Sequence, residues 1–155
     1  MTLYIKQKMF SFLDSFDVFD ENGEPYYHIK GQFAMGHSYA IYDRNGEKVG
    51  SLVQKVLTFM PTFYFYNQFD EYVGCVKQEP AFFKWKFNVN FNNLEIDGDA
   101  FGFNLVITQN NSQVATVKKI LWQLTDTYEI DTLPQFAVSA ILVTLAYDGI
   151  RAQRN

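Results

Sequence analysis

The 155-residue chain is 48% hydrophobic and 18% aromatic, with 16 Phe, 10 Tyr and 2 Trp, and carries a formal charge of −4. A chain of this length suits one domain, 1–155, burying roughly 70% of its unfolded surface, and that much apolar material excludes intrinsic disorder. Nine Gly, four Pro and 19% charged residues exclude collagen-like, low-complexity and coiled-coil classes.

The single cysteine, Cys75, excludes an intrachain disulfide framework and points to a reducing compartment. Thirteen basic against seventeen acidic residues argue against sequence-independent nucleic-acid binding, which relies on clustered Lys and Arg. The opening residues, Met1 to Lys8, lack the uninterrupted apolar core of a secretory signal. Thr2 excludes N-myristoylation, and the C-terminal Arg-Asn carries no prenylation box. The expected location is the cytoplasm, at most peripheral to a membrane.

Along the chain, period-2 alternation dominates. Val18-Phe19-Asp20-Glu21-Asn22-Gly23-Glu24 reads as strand, polar turn, strand, and Asn-Gly favours the positive φ of tight hairpins. The pattern returns 23 residues on as Ile41-Tyr42-Asp43-Arg44-Asn45-Gly46-Glu47. It returns again 24 residues later as Phe65-Tyr66-Asn67-Gln68-Phe69-Asp70-Glu71. A fainter copy is Val106 to Ala115. Trp85, Phe87, Val89 and Phe91 alternate with Lys86, Asn88 and Asn90, as do Tyr128 and Ile130 with Glu129 and Asp131. About twelve short strands are expected between residues 3 and 131, and repeated hairpins form a meander that can close on itself.

The last segment breaks the alternation. Thr132-Leu133-Pro134-Gln135 fits a capping box with Thr132 as N-cap. From Phe136 to Tyr147 only Ser139 and Thr144 interrupt an apolar run of twelve residues, too short for a bilayer span of about 20. A helix over about 133–150 that is apolar at every angle must be enclosed. The residues therefore predict a closed antiparallel barrel of about twelve strands around one hydrophobic C-terminal helix.

That order of elements resembles the tubby C-terminal-like superfamily and, within it, the LURP-one-related proteins, small bacterial members included. The likeness is carried by Lys6-Gln7-Lys8 with Phe10-Ser11, the Asn-Gly turns, Ile96-Asp97-Gly98-Asp99, and Val114-Ala115-Thr116-Val117-Lys118-Lys119, followed by Leu124-Thr125-Asp126-Thr127-Tyr128-Glu129-Ile130. The resemblance implies the same barrel and helix. Related branches are associated with phosphoinositide binding and with lipid movement, a role that a shared fold alone does not transfer.

Site chemistry is sparse. His28 and His37 are the only histidines, no Gly-x-Ser-x-Gly elbow is present, and one Cys with two His gives no zinc spacing. Asp97-Gly98-Asp99 reads as a turn between strands rather than a cation site, so neither an enzyme nor a cofactor or metal is expected. For lipid head groups the candidates are Lys84, Lys86, Lys118 and Lys119, with Lys55 and Lys77 behind them. Lys84 and Lys86 share a strand face, whereas Lys118 and Lys119 begin on opposite faces. The expected function is a non-enzymatic module that binds anionic phospholipid or a membrane surface. The alternative is a structural or protein-interaction domain.

Overall fold

The apolar alternation becomes twelve strands in the computed structural model, which describes residues 1–6, 15–32, 35–58, 60–79, 86–89, 93–98, 104–122 and 125–152. The strands are β1 (Thr2–Lys6), β2 (Ser15–Phe19), β3 (Pro25–Gly31), β4 (Ser38–Tyr42), β5 (Lys48–Lys55), β6 (Thr62–Tyr66), β7 (Tyr72–Glu79), β8 (Lys86–Val89), β9 (Leu94–Gly98), β10 (Asn104–Gln109), β11 (Ser112–Trp122) and β12 (Thr125–Thr132). A single 3-10 turn, Pro134–Phe136, leads into α1 (Ala137–Ala152).

Each strand pairs antiparallel with its sequence neighbours, and β1 lies between β12 and β2, so the order returns on itself. The expected closed barrel of about twelve strands is corrected at this point: the ladders joining the strands differ widely in length, so the sheet is not a uniform closed wall. The β11–β12 ladder has eight register pairs, whereas β1 meets β2 only at Tyr4↔Phe19 and Ile5↔Val18. The β8–β9 ladder is equally short, Lys86↔Asp97 and Phe87↔Ile96. The wall is one long antiparallel sheet in which, among the described residues, the β1–β2 and β8–β9 pairings are the shortest.

Inside the sheet the alternation holds in most strands, though Ser38 to Ile41 of β4 and Gly50 to Leu52 of β5 are buried in succession. Leu3, Val18, Ile29, Ile41, Leu52, Phe63, Phe65, Val76, Leu105, Ile107, Val117, Tyr128 and Ile130 are buried against α1, where every residue from Ala140 to Ile150 is also buried. Burial at about 25 cal/mol per Å² of apolar surface makes this contact the main source of stability. Thr144, the polar interruption, is satisfied by donating from Oγ1 to the Ala140 carbonyl at 2.7 Å. Two glycines mark where wall and helix come closest. A Cβ on Gly50 would lie 3.2 Å from Val138 Cγ1, and one on Gly149 only 2.6 Å from Phe63 Cζ.

The helix entry also differs from the expected capping box. Leu133, not Thr132, occupies the cap position (φ −64°, ψ 139°), with no side-chain cap hydrogen bond. Thr132 closes β12, and its Oγ1 donates to the Leu133 carbonyl at 3.0 Å. With Pro134 next, one N–H that a cap would satisfy does not exist.

The repeat is real in three dimensions for three copies. Asp20 Oδ1 accepts from the Asn22 and Glu24 amides, Asp43 Oδ1 from Asn45 and Glu47, and Asn67 Oδ1 from Phe69 and Glu71, all at 2.9–3.0 Å. The left-handed position is Gly23 (φ 76°), Gly46 (φ 78°) and, in the third copy, Asp70 (φ 60°). The fourth copy is a different turn, with Asn110 and Asn111 both left-handed (φ 50° and 66°), the geometry of a two-residue hairpin.

Candidate functional site

Antiparallel alternation gives the sheet two unlike ends. The odd-numbered strands all run from the turn end, which holds the Asp20, Asp43, Asn67 and Asn110 turns, toward the end where residues 32–37 and 56–61 connect strands. The helix runs the same way, from Val138 beside Gly50 to Gly149 beside Phe63. Its last turns therefore lie at the second end, which we term the loop end.

Polar side chains inside the sheet gather there. Tyr128 donates its hydroxyl to Asp148 Oδ1 at 2.6 Å, a buried bond that ties helix to wall. Lys119 stands over the Tyr128 ring, Nζ 5.6 Å from its centroid. His37 stacks on Tyr39 at 6.3 Å between centroids. Burial lowers the His37 pKa below its ordinary value, an effect that the Asp148 carboxylate opposes. Gln78, 2% exposed, keeps its Oε1 buried with no hydrogen-bond partner among the described residues. Among the described residues no three His, Cys, Asp or Glu side chains lie together as metal ligands.

The sequence-predicted basic candidates are not brought together. Lys84 lies outside the described residues. Lys86 opens β8 at register positions opposite Glu79 on β7 and Asp97 on β9. Lys118 is exposed on β11 but opposite Glu129, and Lys119 sits on the other face over Tyr128. Strands β9 and β10 separate Lys86 from Lys118. Asp97 and Gly98 belong to β9 rather than to a turn, and Asp99 lies outside the described residues. His28 is exposed, its Nδ1 2.8 Å from Asp17 Oδ1 on the adjacent strand. Cys75 is half-buried in β7.

A second basic set was not visible as a cluster. Lys6, Lys30, Lys55 and Lys77, spaced 24, 25 and 22 residues apart, follow the hairpin period. Each is exposed, and each lies at or near the loop-end terminus of an alternate strand, β1, β3, β5 and β7. Alternate strands are about 10 Å apart, so the four form a crown on the outer rim. Their register partners are Thr127; Ser15 and Ala40; Thr62; and Thr62 and Asn88. Among the described residues Lys30, Lys55 and Lys77 have no carboxylate as register partner, whereas the β1–β2 register continues to place Asp17 opposite Lys6. A hydrogen bond with Tyr64 raises the Lys55 pKa above its ordinary value.

The turn end has the opposite character. Asp20, Glu21, Glu24, Asp43, Glu47, Asp70 and Glu71 line it, and its two bases are both paired, Arg44 with Asp20 at 3.2 Å and Lys48 with Asp70 at 2.6 Å.

Sequence comparison places this geometry in a family. The LURP-one-related family model matches residues 1–146. The chain belongs to the LURP-one-related family. Among curated proteins it is 31% identical over 153 residues to the uncharacterized protein YxjI of Bacillus subtilis (strain 168), covering 94% of each chain. The X-ray structure of a protein from Arabidopsis thaliana superposes with a TM-score of 0.57 at 14% identity, over 93% of this chain and 89% of that one, a likeness of fold alone. No helix among the described residues is long and apolar enough to cross a membrane.

Proposed function

We propose that this LURP-one-related chain is a non-enzymatic binding module that docks on an anionic phospholipid surface through its loop end. The supporting observation is the crown of Lys6, Lys30, Lys55 and Lys77 at one rim, which outnumbers the Glu79, Asp97 and Asp126 carboxylates of that end, while the acidic hairpin turns lie at the other. Each basic residue near an anionic surface contributes about 1 kcal/mol, screened within a Debye length, so four suffice for reversible association. Co-sedimentation with phosphatidylcholine vesicles, with and without phosphatidylglycerol, tests the reading. Binding is expected only with the anionic lipid and is expected to fall steeply with salt. Equal binding to both vesicles, or none to either, rules it out.

A second reading rests on a different observation. Tyr72 (53% exposed) packs edge-to-face on Tyr64 and Tyr66, at 5.5 and 6.2 Å, on the outside of β6 and β7, next to Phe69 at 71% exposure. Such an aromatic patch suits a protein partner. Under that reading Tyr72→Ser abolishes partner capture and leaves vesicle binding unchanged.

A further inference from the structure

Two large apolar side chains project at the loop end. Met35, between β3 and β4, is 88% exposed, and Leu57, between β5 and β6, is 100% exposed. Leu57 also has a φ of 61°, a left-handed backbone that a bulky residue adopts at a cost. Its neighbouring loops do not hang loose. The His37 amide donates to Gln54 Oε1 at 3.0 Å, and the Gln54 amide donates to the His37 carbonyl at 2.8 Å. A Cβ on Gly36 would sit 3.2 Å from Val56 Cγ1, so the residues flanking Met35 and Leu57 are in contact. Strain that presents an apolar side chain wholly to water gains nothing in the isolated fold, and strained positions of this kind mark ligand contacts.

We infer that Met35 and Leu57 are a pair of tips that enter the acyl region of an anionic membrane, so that the protein stands end-on with its helix axis along the bilayer normal. The inference rests on the docking reading above and specifies its contact. The crown supplies the attraction: Lys30 is at the end of β3, just before the Met35 loop, and Lys55 at the end of β5, just before Leu57. Lysines at head-group level beside buried apolar tips are the arrangement by which peripheral proteins hold an interface, electrostatic attraction bringing them in and apolar burial retaining them. The acidic turns then point away from the surface, where like charge does not oppose approach.

The test uses the full chain and vesicles of phosphatidylcholine with phosphatidylglycerol. The double variant Met35→Ser/Leu57→Gly is expected to keep its far-UV circular dichroism, because glycine accepts φ 61° without strain, and to bind roughly a hundredfold more weakly, about tenfold per lost tip. Its salt dependence stays that of the parent, since no charge is altered. In Leu57→Trp, fluorescence gained over the parent shifts blue on vesicle addition and is quenched by lipids brominated on the acyl chains; in Phe69→Trp, at the turn end, it is not. If the parent binds and the double variant binds equally well, or if Phe69→Trp is quenched and Leu57→Trp is not, the end-on contact is overturned while membrane docking stands. If the parent fails to bind, the docking reading falls and this inference with it.

Discussion

The two ends of the sheet are built from the same hairpins yet solve different problems. At the turn end, three of the reversals are short polar loops whose Asp or Asn accepts from its own amides and whose charges pair from one turn to the next. At the loop end, polar groups lie inside, lysines ring the outside and apolar tips stand in water. One end is closed chemically and the other left open. The difference teaches that a repeated structural unit can carry a directional surface, because anything placed once per repeat falls on the same rim.

The largest effect tests what both ends share. Leu142→Asp puts an unpaired charge among residues that are all buried, and is expected to unfold the protein outright, read by loss of the cooperative thermal transition. Should the variant remain folded, the helix is not enclosed as described. Next come changes at the loop end alone. Gly149→Ala forces a methyl against the buried Phe63 ring and is expected to cost about 1–3 kcal/mol, measured by urea unfolding. Tyr128→Phe removes the donor to Asp148 and is expected to cost a similar 1–3 kcal/mol, since it leaves a buried carboxylate oxygen without that partner.

His37 adds a pH dependence confined to this end. Its folded-state pKa lies below the ordinary 6.5, so the unfolded chain binds the proton more readily. The contribution is complete above the unfolded value and is lost as pH falls below about 6.5 toward the folded value. His37→Gln should flatten that part of the stability profile, and an unchanged profile would mean that His37 is not the titrating group.

At the turn end the effects shrink. Asn67→Ala removes the acceptor of two amides on the surface and is expected to cost about 1 kcal/mol. Asp70→Gly relieves a left-handed Asp but breaks an exposed ion pair with Lys48, and these offset to a net gain of about 0.5 kcal/mol. A loss larger than the Asn67→Ala effect would show that the ion pairs, not the backbone, organise this end.

How much of this was legible follows from the range of each interaction. The hairpins were readable because Asn22-Gly23 and Asn45-Gly46 act over four residues, and the helix because an apolar run needs enclosure wherever it lies. The short pairing at Tyr4↔Phe19 and Ile5↔Val18 was not, since ladder length depends on how far two strands slide past each other. Thr132 had the composition of a cap, but Pro134 removed the amide it would serve. The rim lysines were hidden for a related reason. The opposite faces of Lys118 and Lys119 were legible from β alternation, but Lys6, Lys30, Lys55 and Lys77 look scattered along the chain and share one rim. The available signal was their period, which matches that of the turns. Leu57 gave no sign at all, because a left-handed backbone at a leucine is set by the surrounding loop and not by the residue.

The helix that fills the sheet follows every strand in chain order. During synthesis, the wall therefore leaves the ribosome before anything exists to fill it, and the inward faces of Leu52, Phe63, Phe65 and Ile130 stay without their partner until Ile150 has been made. Folding is in effect gated by completion. A product interrupted before Ala137 has all twelve strands and no interior, which makes it a substrate for chaperones and proteases rather than a smaller working protein.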